Sequence, residues 1–327
     1  MLVPYETIAA LRSDAKPERG RPVTSTPPRP PADPPTVLRA HAAAKINLAL
    51  LVGERRDDGF HEIVTVLQSI GLWDDLEVRL IPEGLGLEVE GEGLPADESN
   101  LVLVAARELA RRSWDLPGAR FKLRKGIPVA AGLGGGSADG AAALLALDRL
   151  WQLNLPAVNL HAMAVEVGSD VPFCVSGGSR VATGRGERLQ ETPVKGTLWW
   201  LVAISSESLG TADVYRRYDE LGLPRPLEGR WPSELLDALA AGDLERIGRH
   251  LDNDLEPAAF DLLPALRAGK ARLLEAGALG AVMSGSGPTL LALTRDEEHA
   301  GRIARAVRPA FARVEIARGP VPGVTFG

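Results

Sequence analysis

The chain's densest stretch of residues suited to chemistry is Ile127-Pro128-Val129-Ala130-Ala131-Gly132-Leu133-Gly134-Gly135-Gly136-Ser137-Ala138-Asp139, with four glycines in five positions. Glycine admits backbone conformations closed to other residues and lets a ligand approach the main chain. The Ala- and Leu-rich run that follows predicts a helix over 137–151. The first N–H groups of a helix lack intrahelical partners, and its dipole is positive at that end. A nest of such groups suits a di- or triphosphate. Ser137 has two uses open to it, as the helix cap or as a hydroxyl for phosphate or bound Mg²⁺. An ordinary turn with a serine cap is the plainer reading. No Walker A loop, G-x-G-x-x-G spacing, or protein-kinase H-R-D or D-F-G signature is present. A nucleotide held here needs another class of loop.

Two charged residues stand in suggestive places. In Ala43-Ala44-Lys45-Ile46-Asn47-Leu48-Ala49-Leu50, alternation puts Lys45 and Asn47 on one strand face and Ile46, Leu48 and Leu50 on the other. A lysine in such a strand either meets an anion or sits at a wet edge. In Gly168-Ser169-Asp170-Val171-Pro172-Phe173, an acid lies between a helix end and an apolar segment, with Pro172 favouring extended geometry at Val171. Asp170 could there be a base, a metal ligand or a cap. Together with Lys45 it would suit phosphoryl transfer, the acid handling a hydroxyl proton and the lysine offsetting charge. Phe60 and His61 follow the Asp57-Asp58-Gly59 turn as a possible base-recognition pair. Met283-Ser284-Gly285-Ser286-Gly287-Pro288-Thr289 lacks the G-x-S-x-G register of a nucleophile elbow, so it reads as a close approach to a ligand or to the first domain. The other histidines show no metal-binding spacing, no metal ligand is assigned, and Cys174 reads as a small core residue.

The elements that must position these residues mix without a strict βαβ rhythm, which favours α+β over a doubly wound sheet. Strands are expected from residue 37 to 53 and around 76–80, 121–123, 199–205 and 312–317. Helices are expected over 100–112, 137–151, 156–167, 211–221, 232–240, 243–251, 258–276 and 296–307, with a hairpin over 172–190. Residues 1–36 hold nine of the 25 prolines and read as extended or disordered chain. That segment lacks the apolar centre of a secretory signal and carries too many acids for a transit peptide. It is expected to be an inert extension, or to reflect a translation start placed too far upstream. The folded body then divides at 37–195 and 196–327.

Length and composition agree with two domains: 327 residues, 45% hydrophobic and 24% charged. A net charge of -6 disfavours a nucleic-acid binder, which needs counter-charge for phosphates. No apolar run approaches a membrane span. The single cysteine excludes an internal disulfide framework and a Cys-rich zinc site, pointing to a reducing, cytoplasmic setting. Oligomeric state is left open.

In their order along the chain these motifs resemble the superfamily of galactokinase, homoserine kinase, mevalonate kinase and phosphomevalonate kinase, the GHMP kinases. The resemblance is carried by Ala44-Lys45-Ile46-Asn47-Leu48, Asp58-Gly59-Phe60-His61-Glu62, the 127–139 loop, Gly168–Phe173, Gly210-Thr211 and Met283–Gly287, and it spans residues 37–317. The strand joined to a glycine-aromatic-histidine turn is similar to the branch that phosphorylates a cytidine diphosphate methylerythritol. The resemblance implies an ATP- and Mg²⁺-dependent small-molecule kinase of the methylerythritol phosphate isoprenoid route, with Lys45 and Asp170 catalytic and Pro128 through Ala138 as the ATP loop. It further implies Phe60, His61 and Tyr215 around the cytidine ring, and Asn47 and Thr211 in the methylerythritol and phosphate region. The implied fold is an N-terminal α+β domain and a C-terminal ferredoxin-like domain with a cleft between them. Phe60 stands where tyrosine is common, Ala138 where a second serine is frequent, Ser169 where alanine is usual, and Ala43 where proline is common. The alternatives are a sibling kinase of homoserine or mevalonate type, and a nucleotide-binding module without catalysis.

Overall fold

A computed structural model of the chain describes residues 36–90, 96–111 and 116–327. The proline-rich segment expected over 1–36 lies outside the described residues, apart from its last residue. The first half runs β1 (Val37–Arg55), β2 (His61–Ile81), β3 (Leu85–Glu90), α1 (Leu101–Ala110), β4 (Gly118–Arg124), α2 (Gly135–Leu150), α3 (Ala157–Val167), α4 (Val171–Ser176), β5 (Ser179–Gly184) and β6 (Arg188–Glu191). The second half continues with β7 (Leu198–Ile204), α5 (Thr211–Glu220), α6 (Ser233–Ala241), α7 (Leu244–Arg249), β8 (Asp252–Asn253), α8 (Glu256–Leu262) and α9 (Ala265–Glu275). It ends with β9 (Gly280–Met283), β10 (Leu290–Thr294), α10 (Glu297–Val307), β11 (Arg313–Gly319) and β12 (Val324–Phe326).

One sheet has eight strands. Its spine is the long antiparallel pair β1 and β2, flanked by β12 on one side and by β4 and β3 on the other. The first half of β2 also pairs with β5, which carries β6, and β8 joins β1 in parallel. The second sheet has four antiparallel strands in the order β11-β7-β10-β9. Taken as β7, β9, β10 and β11 in chain order, these are strands 4-1-3-2, with helices in the first and last connections. That is the ferredoxin-like βαββαβ arrangement, and the mixture of helix and antiparallel sheet is α+β throughout.

The β1–β2 register slips between Asn47 and Ala49. A bulge of this kind places one extra residue in a strand and reverses which side chains share a face. Ile46, Leu48, Ala49 and Leu51 therefore enter the larger core, which the helices of the first half share with second-half residues such as Trp200 and Leu235. Leu50 and Val52 instead join a second core built mostly from the second half. The expectation that Leu50 faces with Ile46 and Leu48 is corrected here, because simple alternation cannot foresee a bulge. α2 is buried along most of its length by Ala138, Ala141, Ala142, Ala143 and Ala146, small residues that let α1 and β1 come close.

Three further expectations change. The 172–190 hairpin begins with a helix, α4, because proline is tolerated in a helix's first turn and Pro172 sits there; Val171 is helical, and the hairpin proper is β5–β6. The single helix over 258–276 is two, α8 and α9, broken where Pro264 removes a donor and its ring crowds the preceding turn. β3, which pairs in parallel with β4, was not anticipated despite the alternation of Leu85, Leu87 and Val89.

Candidate active site

Lys45 lies on β1 with only 6% of its surface exposed. Its Nζ stands 3.4 Å from Asp170 Oδ2 and donates to Asn47 Oδ1 at 3.0 Å. The Asn47 amide nitrogen donates to Thr65 Oγ1 at 2.9 Å, and that hydroxyl donates to the Ala49 carbonyl at 2.6 Å. The buried ammonium is thus met by a carboxylate and by an amide that is itself fixed, as a buried cation requires. Asp170 precedes α4 but makes no capping hydrogen bond with its side chain, and that side chain is 34% exposed. Its carboxylate faces Lys45 on one side and keeps room for a further partner.

The glycine loop runs against this pair. Gly134, at φ 68°, is the residue before α2, and a Cβ there would stand 2.6 Å from Lys45 Cγ. The backbone N–H of Lys45 donates to the Leu133 carbonyl at 2.9 Å. α2 starts at Gly135, so Ser137 falls inside its first turn and is not its cap. Ala130 takes φ 54°, a left-handed conformation unusual for a residue with a side chain. Pro128 through Ser137 line a cavity of about 340 Å³ together with Lys125 and Asp139, while Ala138 is turned into the core.

The second small-residue turn closes on the first. Ser284 Oγ donates to the Gly132 carbonyl at 3.1 Å, and a Cβ on Gly132 (φ 72°) would lie 2.7 Å from the Ser284 carbonyl oxygen. Asn253 clamps this turn by donating to the Met283 and Gly285 carbonyls, each at 2.7 Å. Thr211 Oγ1 and Ser286 Oγ are 2.9 Å apart and share a hydrogen bond. Of the two roles read from sequence for this turn, the structure shows the approach to the first half of the chain.

A separate cavity of about 640 Å³ is lined by Phe60, His61, Ser169, Arg185, Thr211 and Tyr215 among others. Ser169 brings it next to Asp170. His61 is buried, donates from Nδ1 to the Gly53 carbonyl at 2.8 Å, and places Nε2 3.2 Å from Asp219 Oδ1. Its ring centroid is 5.3 Å from that of Tyr215. Burial pushes the Tyr215 phenol up, and the charge of Asp170 adds to the shift. Phe60 is half exposed at the other wall. The residues singled out for the site by sequence therefore gather around the Lys45–Asp170 pair or line the two cavities beside it, except Ala138, which lies in the core.

A profile of the GHMP kinases N terminal domain matches residues 100–178, and one of the GHMP kinases C terminal matches 235–313. The chain is 43% identical over 307 residues to the 4-diphosphocytidyl-2-C-methyl-D-erythritol kinase of Thermobifida fusca, covering 89% of this chain and 98% of that one. The chain belongs to the GHMP kinases. The kinase of the same name from Mycobacterium tuberculosis is 42% identical over 85% of this chain and 89% of its own. Among solved GHMP kinase structures, one of a 4-(cytidine 5'-diphospho)-2C-methyl-D-erythritol kinase superposes with a TM-score of 0.74 at 34% identity, covering 86% of this chain and 98% of that one. A homoserine kinase from Cytophaga hutchinsonii reaches a TM-score of 0.73 at 23% identity, covering 90% and 98%, a likeness of fold.

This GHMP kinase also carries groups that sequence reasoning passed over. Lys125, at the glycine-loop cavity, is held by Asp139 at 2.6 Å and by Asp74. Asp74 Oδ1 in turn accepts from the N–H groups of Gly126 and Ile127 at 2.7 and 2.9 Å. Burial pushes the Asp139 carboxyl well up; the Lys125 ammonium opposes that shift and Asp74 adds to it. Asp139 Oδ1 is buried without a hydrogen-bond partner. Arg185 and Asn253 were missed as well. Arg185 sits in a tight Gly-Arg-Gly turn, a signal that was readable; nothing in the sequence around Asn253 marks it.

Proposed function

We infer that this chain is an ATP-dependent kinase that phosphorylates the 2-hydroxyl of 4-diphosphocytidyl-2-C-methyl-D-erythritol. The observation that carries the reading is 43% identity along 98% of a kinase of that name. The reaction forms a bond from the hydroxyl oxygen to the γ-phosphorus, breaks the bond from that phosphorus to ADP, and releases the hydroxyl proton. Such transfer depends on positioning and on electrostatic stabilisation more than on covalent help from the protein.

We assign the roles as follows. Asp170, with its carboxylate free of capping, orients the hydroxyl. It takes the proton late, because a carboxylate is a weak base at neutral pH. Lys45 offsets the charge that develops on the transferring group, Asn47 holds Lys45, and Asn47 and Thr211 serve the methylerythritol and phosphate region. The loop from Pro128 to Ala138 cradles the ATP phosphates on its N–H groups. Mg²⁺ usually binds through one or two protein oxygens plus substrate phosphates and neutralises phosphate charge; the Ser137 hydroxyl, not engaged as a cap, fits as one such oxygen. Phe60 and Tyr215 flank the cytidine ring, with His61 beside them. We place the reaction in the cytoplasm on the strength of the single cysteine. We also place the domain division at 195/196, just before β7 opens the second sheet. Among the described residues, no helix is long and apolar enough to cross a membrane.

The test is mass spectrometry of 4-diphosphocytidyl-2-C-methyl-D-erythritol after incubation with the protein and Mg-ATP. Gain of one phosphoryl group supports the reading. No gain by protein that still binds ATP would move the assignment to the substrates of the sibling kinases.

A further inference from the structure

The cavity beside Asp170 carries three guanidinium groups, Arg55, Arg185 and Arg216, against one carboxylate, Asp219. In a chain of net charge -6, that local excess of positive charge favours an anionic ligand. The three arginines are not equivalent. Arg216 is engaged by Asp213 at 2.6 Å and lies 3.8 Å from Glu220. Arg55 donates its Nε to the Gly59 carbonyl at 3.2 Å. Arg185 makes no ion pair among the described residues; its guanidinium carbon stands 3.7 Å from the centroid of the Phe60 ring.

Local backbone structure holds Arg185 there. It occupies the turn between β5 and β6, its own N–H donates to Glu187 Oε2 at 2.6 Å, and the glycines on either side, Gly184 and Gly186, take φ 78° and 109°. The pairing of Gly184 with Ile63 sets this turn beside the one that carries Phe60 and His61. Stacking on an aromatic ring uses the face of a guanidinium and leaves its in-plane N–H donors available. Those donors form a fork that matches phosphate oxygens.

We propose that Arg185 is a specificity-determining residue that reads the diphosphate of the nucleotide-bearing substrate, with Phe60 as the platform that holds its guanidinium. The proposal rests on the functional reading given above and adds the residue that separates a nucleoside diphosphate from an uncharged nucleoside. Arg185 is exposed and outside both cores, so its replacement leaves packing intact.

The experiment is calorimetric titration of CDP and of cytidine into wild type, Arg185→Ala and Arg185→Lys, with steady-state kinetics alongside. Arg185→Ala is expected to weaken CDP about tenfold, within the usual range for a hydrogen bond to a charged group, and to leave cytidine within about twofold. KM for the diphosphate substrate should rise with kcat unchanged, and Arg185→Lys should recover part of the loss. Equal weakening of CDP and cytidine would reduce Arg185 to a support for the Phe60 ring and overturn the proposal. So would tighter cytidine binding, which would make Arg185 a cover over that ring. Wild type that binds CDP no better than Arg185→Ala defeats the Arg185 assignment alone. Wild type that binds neither ligand defeats the functional reading and this assignment with it.

Discussion

Lysine meets aspartate twice around the glycine loop, and the two meetings differ in what they leave unused. Lys45 faces Asp170, whose side chain keeps 34% of its surface in contact with solvent. Lys125 lies between Asp74 and Asp139, whose side chains are 0% and 4% exposed. In the first pair the carboxylate stays open to solvent, as the role proposed for it toward a substrate hydroxyl requires. In the second, the ammonium ties β2, the segment before the loop and the start of α2 into one buried unit. Residue types are the same in both places; accessibility separates a group able to act on a substrate from one that holds the loop still.

The sharpest way to break that contrast is Asp170→Asn. It removes the charge that the proposed mechanism sets against the hydroxyl and keeps the shape, so kcat should fall ~10³-fold, within the range for general acid–base groups. Some thermal stability should be lost as well, since the buried Lys45 ammonium then keeps only the Asn47 amide oxygen as a close partner, so turnover is compared at a temperature where both proteins are folded. Retention of near-normal turnover, measured by coupled ADP release, would remove Asp170 from the reaction. Lys125→Met inverts the pattern. It strands two buried carboxylates, and loss of one partner from a buried ion pair costs about 3–5 kcal/mol. Chemical denaturation should register that loss directly. A variant as stable as wild type would mean that the triad holds nothing.

How far this contrast could be read beforehand depends on how local each feature is. Lys45 and Asn47 share a face by alternation, and the glycine loop announces itself by composition, because both signals lie within a few consecutive residues. The same alternation misplaces Leu50, since the bulge after Asn47 answers to packing against two cores. The juxtaposition of Lys45 with Asp170 joins residues 125 positions apart, and spacing carries no trace of it; family resemblance supplied it. The triad is assembled from β2, the segment after β4 and the start of α2, and no single stretch hints at it. Pro172 and Pro264 were both visible, but a proline's effect depends on whether it meets a first helical turn or an interior one, and that is decided by the fold.

A smaller effect sharpens the Lys45 side. Gly134 and Gly178 both have positive φ, 68° and 75°, yet a Cβ on Gly134 would press on Lys45 Cγ whereas one on Gly178 meets nothing within 4 Å. Alanine at either position costs about 1–2 kcal/mol from the left-handed backbone alone. Only Gly134→Ala should also displace Lys45, so kcat should fall roughly tenfold beyond what Gly178→Ala does, about 1.4 kcal/mol of transition-state stabilisation. Equal activity in the two variants would show that Lys45 tolerates displacement.

The gentlest test addresses the sealed pair through pH. Burial raises the Asp139 carboxyl above its ordinary value, with Lys125 opposing, so the folded chain retains a proton that the unfolded chain releases near pH 4. The contribution of this proton to stability is full below that pH and is lost as pH rises through the raised folded value. Asp139→Asn cannot ionise, so it escapes that loss. Its melting temperature relative to wild type should therefore rise from about pH 4 and level off once the raised folded value is passed. Parallel melting curves across the range would mean that Asp139 ionises alike in both states and that Lys125 fully compensates its burial.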